Sequence, residues 1–187
     1  MEVTGIVLAG GKSTRMGTDK GLLMLKGKTF VEHVCAALNP ITEGRLLVVT
    51  NNEEYAFCKA TLVKDVVLDK GPVSGIYSGL QQSTTDLNII VSTDVPFIST
   101  EFLRWLLAQH KAPFDVTEVI VKARVNPLIA VYNKSVASIF YENLITNKLK
   151  LITVVEGLSH QTIDVPEQWL AQLANINTKE EYDNIGL

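Results

Sequence analysis

Apolar residues in this chain follow two alternating patterns. Short stretches of strand length, mostly apolar or β-branched, occur at residues 6–9 (IVLA), 45–50 (RLLVVT), 66–68 (VVL), 88–92 (NIIVS), 116–121, 128–132 and 161–165. Each is too short for a helix, and most are bounded by Gly, Asn, Asp or Pro, so each predicts a strand, buried in the case of 6–9 and 88–92. Between them, apolar residues recur at helical spacing. Thr29 and Glu32 form a T-x-x-E capping box ahead of Phe30, Val34, Ala37 and Leu38, predicting a helix over 29–38 that stops at Asn39-Pro40. Residues 53–61 suit a second helix. A third begins at Gly71-Pro72, with Val73, Ile76, Tyr77 and Leu80 on one face. Ser99-Thr100 can cap a fourth, carrying Phe102, Leu103, Leu106 and Leu107, and Val136, Ile139, Phe140 and Leu144 mark a fifth. Residues 149–158 stay open between strand and helix. Residues 166–173 start a further helix, and Thr178 with Glu181 makes a second capping box. After the first strand, the apolar run 21–25 leads to a turn at Lys26-Gly27-Lys28, and Arg124-Val125-Asn126-Pro127 reads as a connection between two strands.

Strands alternating with helices over the whole length predict an α/β fold: a three-layer α/β/α sandwich with a mostly parallel, Rossmann-like sheet. With 187 residues, 47% hydrophobic and 20% charged, one domain over 1–187 is the economical reading. Its first half, to about Leu80, and its second half are expected to meet where the strand order reverses. The net charge of −3 is spread along the chain, against the concentrated basic face that nucleic-acid binding needs. No apolar run approaches the ~20 residues that span a bilayer. With no basic-then-apolar leader, a cytoplasmic location is expected. Cys35 and Cys58 lie in no C-x-x-C, predicting reduced, buried or half-buried thiols. His33, His110 and His160 are far apart in sequence and make no metal pattern.

The candidate chemistry concentrates in residues 3–20, VTGIVLAGGKSTRMGTDK. A strand empties into Gly10-Gly11, and Lys12, Arg15 and Lys20 follow within nine residues with only Asp19 against them. Glycine amides supply hydrogen bonds and the cations supply charge, which makes the segment a candidate phosphate cradle. It is not a Walker A loop, because the glycine needed five positions before Gly11 is Ile6, and G-x-G-x-x-G is absent. Further on, Asp94 sits just past the carboxyl end of a predicted parallel strand, where open α/β sheets bind ligands. An aspartate before Pro96 also suits turn capping, and the two roles can coexist.

LAGGKSTRMGTDKGLL, from Leu8 to Leu23, resembles the signature loop LAGG-x-x-x-RMG-x-DK-x-LL of the molybdenum cofactor guanylyltransferases, which have a glycosyltransferase-A-like nucleotidyltransferase fold. The G-P-x-x-G segment at Gly71, the D-x-P-F segment at Asp94 and the closing Asn175-Ile176-Asn177-Thr178 are similar to family motifs as well. The resemblance implies transfer of GMP from GTP to the phosphate of molybdenum-bearing molybdopterin, giving the dinucleotide and pyrophosphate. It implies Mg2+ on Asp94, backbone groups of Leu8, Ala9 and Gly10 facing the guanosine, and Gly11 and Lys12 along the triphosphate. It gives Lys20 a phosphate contact and Arg15 the charge at the α-phosphate or pyrophosphate. Asp69 is to accept from guanine N–H groups or ribose hydroxyls, and Asn175 and Asn177 are to lie near the pterin. The family's base-reading Asn at the second strand's end falls on Thr50 or Asn51, and that choice stays open. Asn126 stands where the family usually has His in R-x-H-P. Implied partners are GTP, molybdenum-molybdopterin, and molybdenum-insertion and molybdoenzyme-maturation proteins. A related nucleotidyltransferase using CTP or another phosphate acceptor, and a non-catalytic nucleotide or molybdopterin carrier, are the alternatives.

Overall fold

The protein, described here as a computed structural model covering residues 2–10 and 19–185, is built around β1 (Val3–Leu8). Five of its six residues are buried, and it is hydrogen-bonded on both edges. The chain then forms a small hairpin, β2 (Met24–Leu25) with β3 (Lys28–Thr29), before α1 (Phe30–Thr42). Next come β4 (Leu46–Val49), β5 (Thr61–Val63), α2 (Gly71–Gln82), β6 (Leu87–Ser92) and α3 (Thr100–Gln109). The hairpin strands β7 (Val116–Val121) and β8 (Arg124–Asn133) lead to α4 (Ala137–Ile145), α5 (Leu151–Glu156) and β9 (His160–Asp164). Two short helices, α6 (Glu167–Leu170) and α7 (Lys179–Asn184), close it.

The main sheet has seven strands in the order β5-β4-β1-β6-β8-β7-β9, and β8 alone pairs antiparallel to its neighbours. Side chains alternate across it. Val3 and Val7 join α1 and α3 through Val34, Leu38, Phe102 and Leu106, while Ile6 joins α2 and α4 through Ile76, Leu80 and Phe140. The expected three-layer, mostly parallel α/β fold is therefore present. From β1 the chain first builds outward to β4 and β5, then returns to place β6 on β1's other edge. The carboxyl ends of β1 and β6 thus flank the point where strand order reverses, the usual ligand crevice of such sheets.

Both capping boxes form as the sequence predicts. Thr29 and Thr178 accept from the backbone of Glu32 and Glu181, whose carboxylates reach back to the cap amides. Residues 149–158 resolve into α5. Four local expectations are corrected. α1 runs through Pro40 to Thr42, because the carbonyl that loses its partner belongs to Ala36, an exposed residue that water can reach. Residues 53–57 form only a 3-10 turn, and the edge strand lies at Thr61–Val63, paired with β4, rather than at 66–68. The amides of Val66 and Val67 are instead taken by the hydroxyls of Ser78 and Ser74, at 3.0 and 3.3 Å. Arg124 to Pro127 belong to β8, after a tight turn in which Lys122 and Ala123 take positive φ of 49° and 60°.

Candidate active site

The crevice is floored by the ends of β1 and β6. Leu8's carbonyl accepts from Thr93 N–H at 3.3 Å, and Ala9 N–H donates to the Val49 carbonyl at 3.0 Å. Two backbone groups expected to face a guanosine therefore tie strand ends together, and exposed Gly10 follows them toward the cradle. Gly11, Lys12 and Arg15 lie outside the described residues.

Lys20 and Asp94 are linked through the chain's closing segment. Lys20 Nζ donates to Asn177 Oδ1 at 2.7 Å, and Ile176 N–H donates to the Asp94 carbonyl at 2.9 Å. Ile176 itself is buried against Leu25 and Phe30, which anchors the segment. The Glu181 carboxylate accepts from the backbone amides of Asn177 and Thr178, bonds that hold its pKa below the ordinary value and fix the turn. The structure thus brings Asn177 to Lys20 across the whole fold, while Asn175 is exposed on the same segment.

Asp94 is half-buried, and one carboxylate oxygen accepts from the Ser92 hydroxyl. A carboxylate beside a hydroxyl offers the hard oxygen ligands that magnesium takes. Among the described residues no group of three or more His, Cys, Asp or Glu side chains could cage a metal.

On the α2 side of the crevice the structure adds a residue that sequence reasoning passed over. Asp65 is half-buried, its Oδ1 3.9 Å from where a Cβ on Gly75 would stand, a point also 3.3 Å from the Leu8 side chain. Burial raises its pKa, opposed by hydrogen bonds from Ser74 and Ser78. Its N–H donates to Asn51 Oδ1 at 3.1 Å, so Asn51 and Asp65 sit side by side at the strand ends. Thr50 is buried, its hydroxyl accepting from Asn52 N–H at 3.1 Å. Asp69, by contrast, is an exposed residue at φ 58° just ahead of α2. The signal for Asp65 was an acid just past a strand, hidden because that strand was placed five residues too late.

The remaining expectations are structural. His33 donates to the Leu25 carbonyl at 2.8 Å, His110 bonds Thr117 and Asn133, and His160 bonds the Leu158 carbonyl. Cys35 and Cys58 are free and half-buried, and burial lifts their thiols to about 12 and about 11. Asn126 Oδ1 accepts from Leu128 N–H at 3.0 Å, and Tyr132 OH donates to the Pro127 carbonyl at 2.8 Å. Together they pin the irregularity where β7 and β8 shift register, a job for an amide rather than a proton-transfer group. No helix among the described residues is long and apolar enough to cross a membrane.

A mostly parallel sheet with Lys20 and Asp94 near its strand-order reversal is an arrangement that suits a nucleotidyltransferase. The model of the MobA-like NTP transferase domain matches residues 5–157, and the chain belongs to that family. A "Probable molybdenum cofactor guanylyltransferase" of Flavobacterium johnsoniae is 35% identical, over 99% of this chain and 97% of that one. One of the same name from Carboxydothermus hydrogenoformans is 34% identical, over 98% and 94%. The crystal structure of molybdopterin-guanine dinucleotide biosynthesis protein A from Archaeoglobus fulgidus superposes with a TM-score of 0.80 at 25% identity, over 98% and 96%.

Proposed function

We propose that this enzyme transfers GMP from GTP to the phosphate of molybdenum-bearing molybdopterin, releasing pyrophosphate. The observation that carries the reading is the Lys20–Asn177–Ile176–Asp94 link, which joins the triphosphate loop to the strand end bearing the carboxylate. The names of the relatives support the acceptor and the base. An oxygen of the acceptor phosphate forms a bond to the α-phosphorus as the bond to the β-phosphate oxygen breaks, and the electron pair leaves with pyrophosphate. That phosphate has a second pKa near ~6, so no side-chain nucleophile or base is required. What the chain supplies is position and charge.

Lys20, held by Asn177, binds phosphate oxygens as a fixed cation, and Arg15 grips the α-phosphate or the departing pyrophosphate with its planar fork. Asp94, supported by Ser92, holds Mg2+, which neutralises phosphate charge when bound. Gly11 and Lys12 line the triphosphate, and Asn175 and Asn177 face the pterin. Asp65 and Asn51 read the guanine edge, with Asp69 nearer the ribose. Guanine presents adjacent N1–H and N2–H donors. Adenine leaves a carboxylate there unpaired, at a cost of roughly 1–3 kcal/mol per buried group.

The test is a competition titration of GTP, CTP and ATP at fixed magnesium. GTP binds at least ~10-fold tighter than either rival, and Asp65→Asn removes most of that preference. Loss of preference in Asp69→Ala but not in Asp65→Asn returns the base to Asp69. CTP binding tightest contradicts the guanylyl reading.

A further inference from the structure

Tyr55 is fully buried beneath the loop that carries Lys20, yet it lies 35 residues further on and in no motif of that loop. Its hydroxyl donates to Asp19 Oδ1 at 2.6 Å. The same oxygen accepts from Gly21 N–H at 3.1 Å, capping the turn Lys20–Leu22, and Asp19 Oδ2 accepts from Asn52 Nδ2 at 3.3 Å. Asn52 also caps the turn bearing Tyr55 by accepting from Glu54 N–H at 3.0 Å. The two turns thus brace one another through a single carboxylate, with Lys20 next to it in sequence.

Gly21 makes the fit visible. A Cβ there would stand 2.2 Å from the Tyr55 hydroxyl oxygen and 3.0 Å from the ring carbon bearing it, so the backbone lies directly on the tyrosine. Burial and the bond to Asp19 push the phenol's pKa far up, so it stays a donor. The Asp19 carboxylate, next to Lys20 in sequence, would otherwise compete with phosphate for the lysine. Three donors engage it and turn it away.

We propose that Tyr55 is a positioning residue for nucleotide transfer: through Asp19 it locks the Lys20 turn and keeps the Asp19 carboxylate off the lysine, so that Lys20 Nζ is free to meet a phosphate. This rests on the nucleotidyltransferase reading of the site. Asn177, the amide Lys20 contacts here, takes one of the ammonium's three N–H donors and leaves the others for phosphate.

Tyr55→Phe removes the hydroxyl and keeps the buried ring. Amide hydrogen exchange of the nucleotide-free protein is measured over residues 19–23, alongside kcat and KM for the nucleoside triphosphate and thermal unfolding. The variant is expected to exchange at least ~10-fold faster at Gly21 and Leu22, and to lose about 10-fold in kcat/KM, the loss of one hydrogen bond to a charged group. Exchange in β1, β4 and β6 stays unchanged. Gly21→Ala supplies a second readout. It loses activity in the native background, and adding Tyr55→Phe restores part of it, because the nearest contact opens from 2.2 to 3.0 Å. Losses that add instead overturn the close seating of Gly21 on Tyr55. Unchanged exchange at 19–23 overturns the proposal, whether or not the protein transfers nucleotide. Faster exchange with unchanged kcat/KM overturns its catalytic part. Should the native protein transfer no nucleotide, the functional reading fails by itself and the exchange result still decides the clamp.

Discussion

Gly79→Ala tests how tightly α2 is seated on the central strand. A Cβ at Gly79 would stand 2.6 Å from Ile6 Cγ2, 3.2 Å from Ile6 Cδ1 and 3.3 Å from Val49 Cγ2. Comfortable carbon contacts lie at about 3.5–4.0 Å, so α2 must lift by roughly 1 Å or Ile6 must leave its rotamer. Ile6 is fully buried in the sheet centre and has nowhere to go. Overpacking of this kind costs about 1–3 kcal/mol. Alanine's helix propensity offsets roughly 1 kcal/mol of that. The net expectation is a loss of about 1 kcal/mol, or a Tm lower by about 2–4 °C for a chain of this size. The double variants locate the cause. Ile6→Val removes only the 3.2 Å contact to Cδ1 and keeps the 2.6 Å one to Cγ2, so it gives little relief, whereas in an Ile6→Ala background the added methyl occupies vacated space and Gly79→Ala becomes neutral or stabilising. Urea unfolding of the four proteins measures the coupling, expected to be about 1 kcal/mol or more. A Tm that rises with Gly79→Ala in the native background, as at an open helical glycine, refutes the close seating of α2. Nucleotide affinity should fall with it, because the same helix presents Gly75 against Leu8 and Asp65 at the crevice.

Asp94→Asn keeps the fold and lowers turnover by about 10²-fold or more; near-normal turnover at saturating magnesium removes Asp94 from the mechanism. Arg15→Ala lowers kcat more than it weakens GTP binding, and a change confined to KM makes Arg15 a simple anchor. Glu118, buried on β7 with His160 4.0 Å away, has its pKa raised above the ordinary 4.5 by burial, against His160 and with Glu156. The folded state favours its protonated form, so this contribution to stability is full below the unfolded pKa and is lost as pH rises through the folded value. Glu118→Gln therefore gains stability relative to the native protein between pH 4 and 8 in urea titrations, and a difference that shrinks over that range contradicts the sign.

Features that depend on neighbours in sequence were legible. Both capping boxes, α2 with Pro72 in its first turn, and β1 emptying into glycine follow from local chemistry alone. Features set by distant partners were not. The run 66–68 has strand composition, but two serines on α2 claim its amides, and nothing within those residues announces it. That displacement hid Asp65. Tyr55 falls within the stretch 53–61 that suits a helix, and its meaning appears only when the folded chain sets it against Asp19. Likewise Lys20 and Asn177 are 157 residues apart in sequence, and resemblance gave each a role without giving their contact.

The measurement that bears most directly on the account is a transfer assay with purified protein, α-labelled GTP, magnesium and molybdenum-bearing molybdopterin, following labelled dinucleotide and pyrophosphate together. The account predicts one pyrophosphate for each dinucleotide, dependence on magnesium, and at least ~10-fold less product from CTP or ATP at equal concentration. GTP or molybdopterin bound with no pyrophosphate released would make the protein a carrier, and preferred transfer from CTP would make it a cytidylyl enzyme; either result contradicts the account.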